Sequence, residues 1–471
     1  MVEGPLSRYD RTVEVRPHES RLKHHSVVET IDYKADIPYW GALLHLPLRW
    51  GVARHRRFDG RQPKWAPPHR LSHRAASILA TLAIASLLGG FLSNTQGEML
   101  TYAAEEFDRD TSAQGLSSAI TRIGTVLALG AAFVADRKGR RLVLGVSMVA
   151  GIISASLIAI APSFALLTAG MALTRMFNSA LAAAVFLLAM EEMPSGSRAF
   201  CLAILAMPAG LGAGMVVWVE PIADLSPTAW RWVFAVPLLL LPFVAGLLRR
   251  LPESRRFATR SRSVNLRPYV PRIILLGSIL FLISLFLAPI DQFRNEYLRD
   301  EHNFTAKQVS ILILSTATPG SVALLFWGRL SDTVGRRIVI GIASVAGLGL
   351  IVVFFNSSGL LLYPMGFGSV LLSVGLLSSV GVYKAEMFPT NVRAKAGAIV
   401  SIIGVSGSVV GLIAMGRLVD RWGSFGPVVA LFWIAPLLAM VIVVAGLREG
   451  SRRELEELNP EDAQTTSPPQ S

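Results

Sequence analysis

Apolar residues in this chain come in blocks, not in the spaced stripes of amphipathic helices. From about residue 75 to about residue 447, stretches of roughly 20 apolar residues recur, separated by short charged or Gly/Pro-containing joints. A helix needs about that many to cross a hydrocarbon core of about 30 Å, so each block predicts a membrane span. Twelve are expected, at 75–100, 114–135, 142–161, 164–190, 199–219 and 231–248, then 273–290, 308–327, 338–355, 359–383, 396–417 and 426–447. A large soluble all-α protein would need polar faces on most of these helices, and few have one. The expected fold class is an all-α membrane protein with twelve transmembrane helices in two six-helix, pseudo-symmetric bundles. Its expected parts are a basic cytoplasmic extension (1–74), the two bundles (75–248 and 273–447), a cytoplasmic linker (249–272) and a cytoplasmic tail (448–471).

Charge then gives the chain an orientation. Only 16% of residues are charged against 52% hydrophobic, yet the net charge is +13. The excess sits on one set of joints: Arg137, Lys138, Arg140, Arg141, Arg198, a dense run from Arg249 to Arg272, Arg329, Arg336, Arg337, Lys384, Arg393 and Lys395. Basic loops stay inside, which puts both termini in the cytoplasm and makes the charge a matter of lipid and topology, with no nucleic-acid partner. Residues 1–74 read as a polar, Arg- and His-rich, partly disordered tail whose histidines match no metal-ligand spacing. Within it, Trp40, Leu43, Leu44, Leu46 and Trp50 alternate with His45, Arg49 and Arg54, as in a segment lying on an anionic leaflet. The single cysteine, Cys201, lies in an apolar block, so no intrachain disulfide can form.

Two motifs occur twice. Ala132, Val134, Asp136, Gly139, Arg140, Arg141 and Gly328, Leu330, Asp332, Gly335, Arg336, Arg337 both approximate G-x-L-x-D-x-x-G-R-R. Glu191, Pro194, Arg198 and Glu386, Pro389, Arg393 both read E-x-x-P-x-x-x-R. Asp136 and Asp332 are 196 residues apart, and Glu191 and Glu386 are 195 apart. One shared offset for two unrelated motifs indicates parallel halves related by an axis along the membrane normal. The glycine allows a sharp turn. Asp136 and Asp332 are placed to accept hydrogen bonds from a helix N-terminus of the other half, while Arg140 or Arg141 can reach Glu191 and Arg336 or Arg337 can reach Glu386.

Over about residues 75–455 the sequence resembles the major facilitator superfamily, whose signature is the doubled loop motif. Pro252-Glu253-Ser254-Arg255-Arg256 and Trp230-Arg231-Trp232 are similar to elements of its sugar porters and metabolite–proton symporters. The seventh span lacks the sugar-porter double glutamine, and the tenth lacks G-P-x-x-W, so an organic-acid substrate fits as well. The resemblance implies that the ion pairs of Asp136, Arg140, Arg141, Glu191, Arg198, Asp332, Arg336, Arg337, Glu386 and Arg393 form a cytoplasmic gate. Arg175, in a stretch similar to the family's R-x-x-q-G element, is implied in proton coupling.

A charge within a span costs about 3 kcal/mol on insertion scales, so each one invites a functional reading. Glu98 and Arg122 are positioned to pair across the first bundle, either as a titratable site or as a structural pair. Asn94 and Gln96 could bind substrate or neighbouring helices; Asp291, Gln292, Asn295 and Tyr297 could line an outer vestibule. Glu98, Arg122 and Arg175 have no obvious second-half counterparts. The small-residue faces Pro208–Gly214 and Gly404–Gly411 read as helix packing, the alternative being an element of drug–proton antiporters. No nucleotide loop, metal cluster or nucleophile constellation is visible, so no enzyme and no cofactor is expected. The expected function is a monomeric secondary transporter in the plasma membrane, moving a small sugar or organic acid, with protons, by alternating access. A drug or metabolite exporter of the same fold and a non-transporting sensor are the alternatives.

Overall fold

The computed structural model describes residues 6–17, 25–35, 40–41, 45–46, 49–50, 71–128, 139–194, 197–250, 266–334, 336–389 and 392–446. Within them the chain crosses from one end of the molecule to the other twelve times. The first half comprises α1 (His73–Glu106), α2 (Thr111–Leu127), α3 (Arg140–Ile158), α4 (Phe164–Glu192), α5 (Arg198–Val219) and α6 (Trp230–Arg249). The second comprises α7 (Val270–Glu296), α8 (Ala306–Val334), α9 (Arg337–Phe354), α10 (Leu362–Glu386), α11 (Arg393–Trp422) and α12 (Phe425–Gly446).

Local chemistry sets the ends of several helices. Ser72, Asp110 and Ser163 cap α1, α2 and α4 by accepting from the amides of Ala75, Ala113 and Leu166. Gly139, in the first loop motif, turns into α3 at φ 102°, a conformation open to glycine and strained for a side chain. Outward-facing positions are apolar: Leu142, Val146, Ile153 and Leu157 form an exposed stripe on α3, and Leu438, Val441 and Val444 one on α12. Water would not tolerate such faces, whereas lipid requires them.

Glycines set the closest helix crossings. A Cβ at Gly90 would lie 1.9 Å from the carbonyl oxygen of Ala209, and one at Gly212 would lie 1.9 Å from that of Leu87, so α1 and α5 touch backbone to backbone. In the second half, Gly407 and Gly411 hold α11 nearly as close to the carbonyls of Phe281 and Leu285 on α7, at 2.2 Å in both cases. Gly212 and Gly407 are 195 residues apart, so the sequence repeat is also a repeat of packing.

At one end of the first half, Arg231 joins the tips of α1, α3 and α6. It grips Glu106 with two nitrogens, at 2.6 and 3.1 Å, and donates to the carbonyls of Ala159 and Ala161. The Trp230 indole donates to the same carboxylate at 2.7 Å. Lysine has the charge but not the planar fork. Arg231→Lys is expected to lower stability by about 2 kcal/mol, read as a lower unfolding midpoint of the purified protein; an unchanged midpoint would show that the clamp adds nothing.

The amino-terminal extension departs from its expected disorder. β1 (Leu6–Pro17) and β2 (His25–Ala35) pair antiparallel, with Tyr9 opposite Tyr33 and Val15 opposite Val27. Alternation puts Tyr9, Val13, Val27 and Ile31 on one face, a period of two that the many charges obscure. Most of the expected interfacial segment lies outside the described residues. Trp40, which is described, packs on the first bundle and donates its indole N–H to the Ala80 carbonyl at 3.0 Å.

Candidate functional site

Among the described residues, the hydrogen bonds and ion pairs that join the two halves gather at one end of the molecule, away from the basic loops. At their centre α1 meets α7. Arg294 reaches Glu98 at 3.3 Å, Gln292 donates to the Gly97 carbonyl at 3.2 Å, and Asn295 donates to the Glu98 carbonyl at 3.0 Å. Glu98 and Arg294 are 196 residues apart, the repeat offset itself. A residue can touch its own repeat mate only beside the axis relating the halves, so this pair marks the axis.

Around it the seal widens. Buried Glu220, at the end of α5, accepts from Tyr102 (3.3 Å), Asn295 (3.1 Å) and Ser310 (3.0 Å). Buried Glu296 accepts from Thr111 at 2.5 Å, and Asp420 accepts from the Ser112 amide at 2.8 Å. Arg299 lies over the Tyr102 ring and holds Glu105 with two nitrogens at 3.0 Å. Backbones touch here as well: a Cβ on Gly115 of α2 would lie 2.5 Å from the Leu412 carbonyl of α11.

Beneath the seal, between the halves, is a cavity of about 350 Å³. Arg122 of α2 and Asp291 of α7 bring charge to it, with Ser284 and Ser408 as hydroxyls; aliphatic side chains of α7 and α10 supply the rest. Arg122 and Asp291 attract one another across this space. Arg175 of α4 lies outside this lining and bonds to Ser93 (3.1 Å) and Thr125 (3.4 Å).

A polytopic chain with a polar seal and a central cavity between two repeated halves has known relatives. The model of the Major Facilitator Superfamily matches residues 82–293 and 293–470. The chain belongs to this superfamily. Among solved structures, a mutant form of the nucleoside transporter NupG superposes with a TM-score of 0.67 at 14% identity, covering 79% of this chain and 100% of that one. The inward-open xylose transporter XylE from E. coli gives 0.66 at 17% identity over 82% and 99% of the two chains. A bacterial homolog of the human lysosomal transporter Spinster, inward-facing and unoccupied, gives 0.62 at 13% identity over 79% and 95%. At these identities the likeness is one of fold. No curated protein matches the chain by sequence. Superfamily membership makes it a multi-pass membrane protein of the transporter class, with twelve helices in two bundles.

Against this superfamily frame, the structure rearranges the expected site. Glu98 pairs with Arg294, across the halves, and not with Arg122 inside the first bundle. Asn94 and Gln96 donate to the carbonyls of Ala213 and Met171, so both bind neighbouring helices of their own half. Of the α7 group, Asp291 lines the cavity while Gln292 and Asn295 belong to the seal. Tyr297 is core: it is buried against Phe354 and Phe355 and donates to the carbonyls of Phe354 and Ser357. The seventh span, expected to end near 290, continues as α-helix to Glu296 and as a π turn to Glu301, because Asn295 and Glu296 are buried between the halves and half-buried Arg294 and Arg299 pair with carboxylates of the first half. Phe286 and Trp327 are packing residues, the latter donating to the Leu371 carbonyl.

At the basic-loop end, Arg140 and Glu191 meet at 2.7 Å, joining α3 to α4. Arg141 is exposed and Arg337 half-buried. Asp136 lies outside the described residues, as do the side chains of Arg198, Asp332, Arg336, Glu386 and Arg393. Sequence reasoning missed Arg294, Glu220, Glu296 and Arg299. Adding 196 to Glu98 would have found Arg294; the other three carry no local motif.

Proposed function

We propose that this protein is a secondary active transporter that carries a small sugar or organic acid across the plasma membrane with protons. The observation that supports it best is the cavity lined by both halves directly beneath a polar seal, which is the arrangement alternating access requires. In this reading residues 75–248 and 273–447 rock about the axis marked by Glu98 and Arg294, and the segment 249–272 joins them. The basic loops and both termini face the cytoplasm, so the sealed end is the outer one. The ion pair of Arg140 and Glu191, with its counterparts Arg336, Arg337 and Glu386 and the flanking Asp136, Arg198, Asp332 and Arg393, latches the inner end when the outer end opens. Arg175, a cation bonded to hydroxyls, couples transport to protons. Ala209, Gly212 and Ala213 of this stretch are taken up by contacts with α1, which argues against the exporter reading. A monomer suffices, since both halves of the cavity come from one chain.

Uptake into proteoliposomes from a panel of sugars and organic acids, with and without an acidic exterior, tests the proposal. Accumulation driven by the pH gradient is expected, and Arg175→Ala is expected to abolish accumulation while leaving counterflow. Full gradient-driven accumulation in Arg175→Ala would remove Arg175 from coupling; no transport of any class by a folded protein would remove the transporter.

A further inference from the structure

The seal holds a second cavity, of about 410 Å³, with an exposed acidic rim and a buried floor. Three of its carboxylates are already answered. Asp110 accepts from the Ala113 amide, Asp420 accepts from the Ser112 amide, and Glu105 is held by Arg299. Asp108 and Asp300 are exposed at the rim and form no side-chain hydrogen bond or ion pair among the described residues; they share the cavity with one cation, Arg109. Such a rim alone would be ordinary solvated surface. The floor is different. Thr101 of α1, Gln114 of α2 and Glu296 of α7 border it and are 1%, 4% and 2% exposed. Thr101 Oγ1, Gln114 Oε1 and Glu296 Oε2 have no hydrogen-bond partner among the described residues. Thr101 departs from a pattern, since Thr81, Thr95, Thr121, Thr168, Thr174 and Thr316 each donate to the carbonyl four residues back. For Thr101 that carbonyl is Gly97, which accepts from Gln292 instead. Glu296 accepts from the Thr111 hydroxyl and has no ion pair among the described residues. Buried polar atoms without partners are costly, and these three, from three helices, border one space.

We propose that this cavity binds a short aliphatic diamine, with one ammonium on the floor and the other at the rim, and that the bound diamine locks the sealed end. An ammonium carries three N–H donors and no acceptor, which is what Thr101, Gln114 and Glu296 lack. The charges call for two of them. Asp108, Asp300 and Glu296 against Arg109 leave two negative charges unanswered in the lining. A bare divalent ion would supply the charge, but among the described residues no three acidic side chains come together as metal ligands. A quaternary ammonium has charge without donors, and a polyol has donors without charge. The lock follows from where the walls come from. Thr101 and Gln114 belong to the first half, whereas Glu296, Asp300 and Asp420 belong to the second. A ligand held by both halves stabilises only the state in which they meet. The site itself requires no transport; the lock assumes that the halves part at this end.

Calorimetry on the purified, unmodified protein at constant ionic strength compares 1,4-diaminobutane with 1,4-butanediol, tetramethylammonium and calcium chloride. The diamine is expected to bind at least tenfold tighter than each of the other three. A smaller margin over any of them, or no binding of the diamine, would overturn the proposal. Because this comparison uses no variant, a misfolded mutant cannot leave the question open. Glu296→Gln is expected to weaken diamine binding at least tenfold, and a smaller loss in the folded variant would remove Glu296 from the floor of the site. The lock is read from the labelling of Ala288→Cys, in the central cavity, by an impermeant maleimide in a Cys201→Ser background. Diamine at about 100 times its Kd should slow labelling from the sealed side at least tenfold, the limit being about 100-fold. A smaller effect would overturn the lock, even where the diamine binds.

Discussion

Arg294→Gln is expected to swing the protein toward the conformation open at its sealed end. Arg294 is the cation that answers Glu98, whose side chain is 8% exposed. Breaking a buried ion pair by removing one partner typically costs 3–5 kcal/mol, because the remaining charge is stranded. Arg294 is itself 28% exposed, and its 3.3 Å contact is longer than an ideal bond, so about 2–3 kcal/mol is the reasonable share. The loss falls on the sealed state alone, since opening this end returns Glu98 to water. At about 1.4 kcal/mol per decade the equilibrium should move by roughly 30- to 140-fold. The reporter is Ala288→Cys, which lines the cavity under the seal, in a Cys201→Ser background. Labelling of this position by an impermeant maleimide applied from the sealed side should accelerate at least tenfold. Adding Glu98→Gln should recover part of the shift, because a neutral pair leaves no stranded charge. If labelling does not change, the axis pair does not hold the seal.

Why this pair went unread in the sequence is instructive. Glu98 stands out as an acid in an apolar block, and Arg122, the basic residue inside the next span of its own half, is the partner that the order of spans suggests. The chain had already revealed its symmetry through Asp136 with Asp332 and Glu191 with Glu386, and the same offset carries Glu98 to Arg294. Local motifs were legible because their physics is local: Gly139 turns and Arg140 reaches Glu191 within one half. The twelve helices were legible because lipid imposes length and apolarity on each one separately. Contacts across the halves obey neither constraint. The end of α7, with Asp291, Arg294, Asn295 and Glu296, reads as loop by composition and folds as helix because α1, α2 and the end of α5 bury Asn295 and Glu296 and bond to them. The facing of Arg122 and Asp291 depends on how the bundles dock, which no spacing along the chain records. The hairpin at Leu6–Ala35 failed differently, since its alternation was present but diluted by charged neighbours.

Glycine substitutions separate the two kinds of contact. Gly212→Ala is expected to abolish the folded protein, whereas Gly214→Ala, two residues on, is expected to be neutral or slightly stabilising. At Gly212 the new Cβ would sit 1.9 Å from the Leu87 carbonyl oxygen, and backbone cannot move aside as a side chain can. The helices α1 and α5 would have to part along their whole crossing, losing contacts from Gly90 to Ala209 as well. Overpacking usually costs 1–3 kcal/mol, and a clash between two backbones belongs at or above about 3 kcal/mol. At Gly214 nothing lies within 4 Å of the new methyl, so alanine there gains up to about 1 kcal/mol of helix propensity. Gly115→Ala is the third member of the set. Its Cβ would meet the Leu412 carbonyl at 2.5 Å, but this crossing of α2 with α11 joins the halves and exists only while the end is sealed. It should therefore leave the unfolding midpoint close to that of the parent and accelerate labelling at Ala288→Cys, as Arg294→Gln does. The measurements are the yield of monodisperse protein, its unfolding midpoint and the labelling rate. A folded Gly212→Ala protein with a normal midpoint would mean that α1 and α5 do not cross where they are placed. A Gly115→Ala protein that loses its fold would mean that the α2–α11 contact is a permanent part of the core. In that case the halves could not rock apart at this end, and alternating access would need a different hinge.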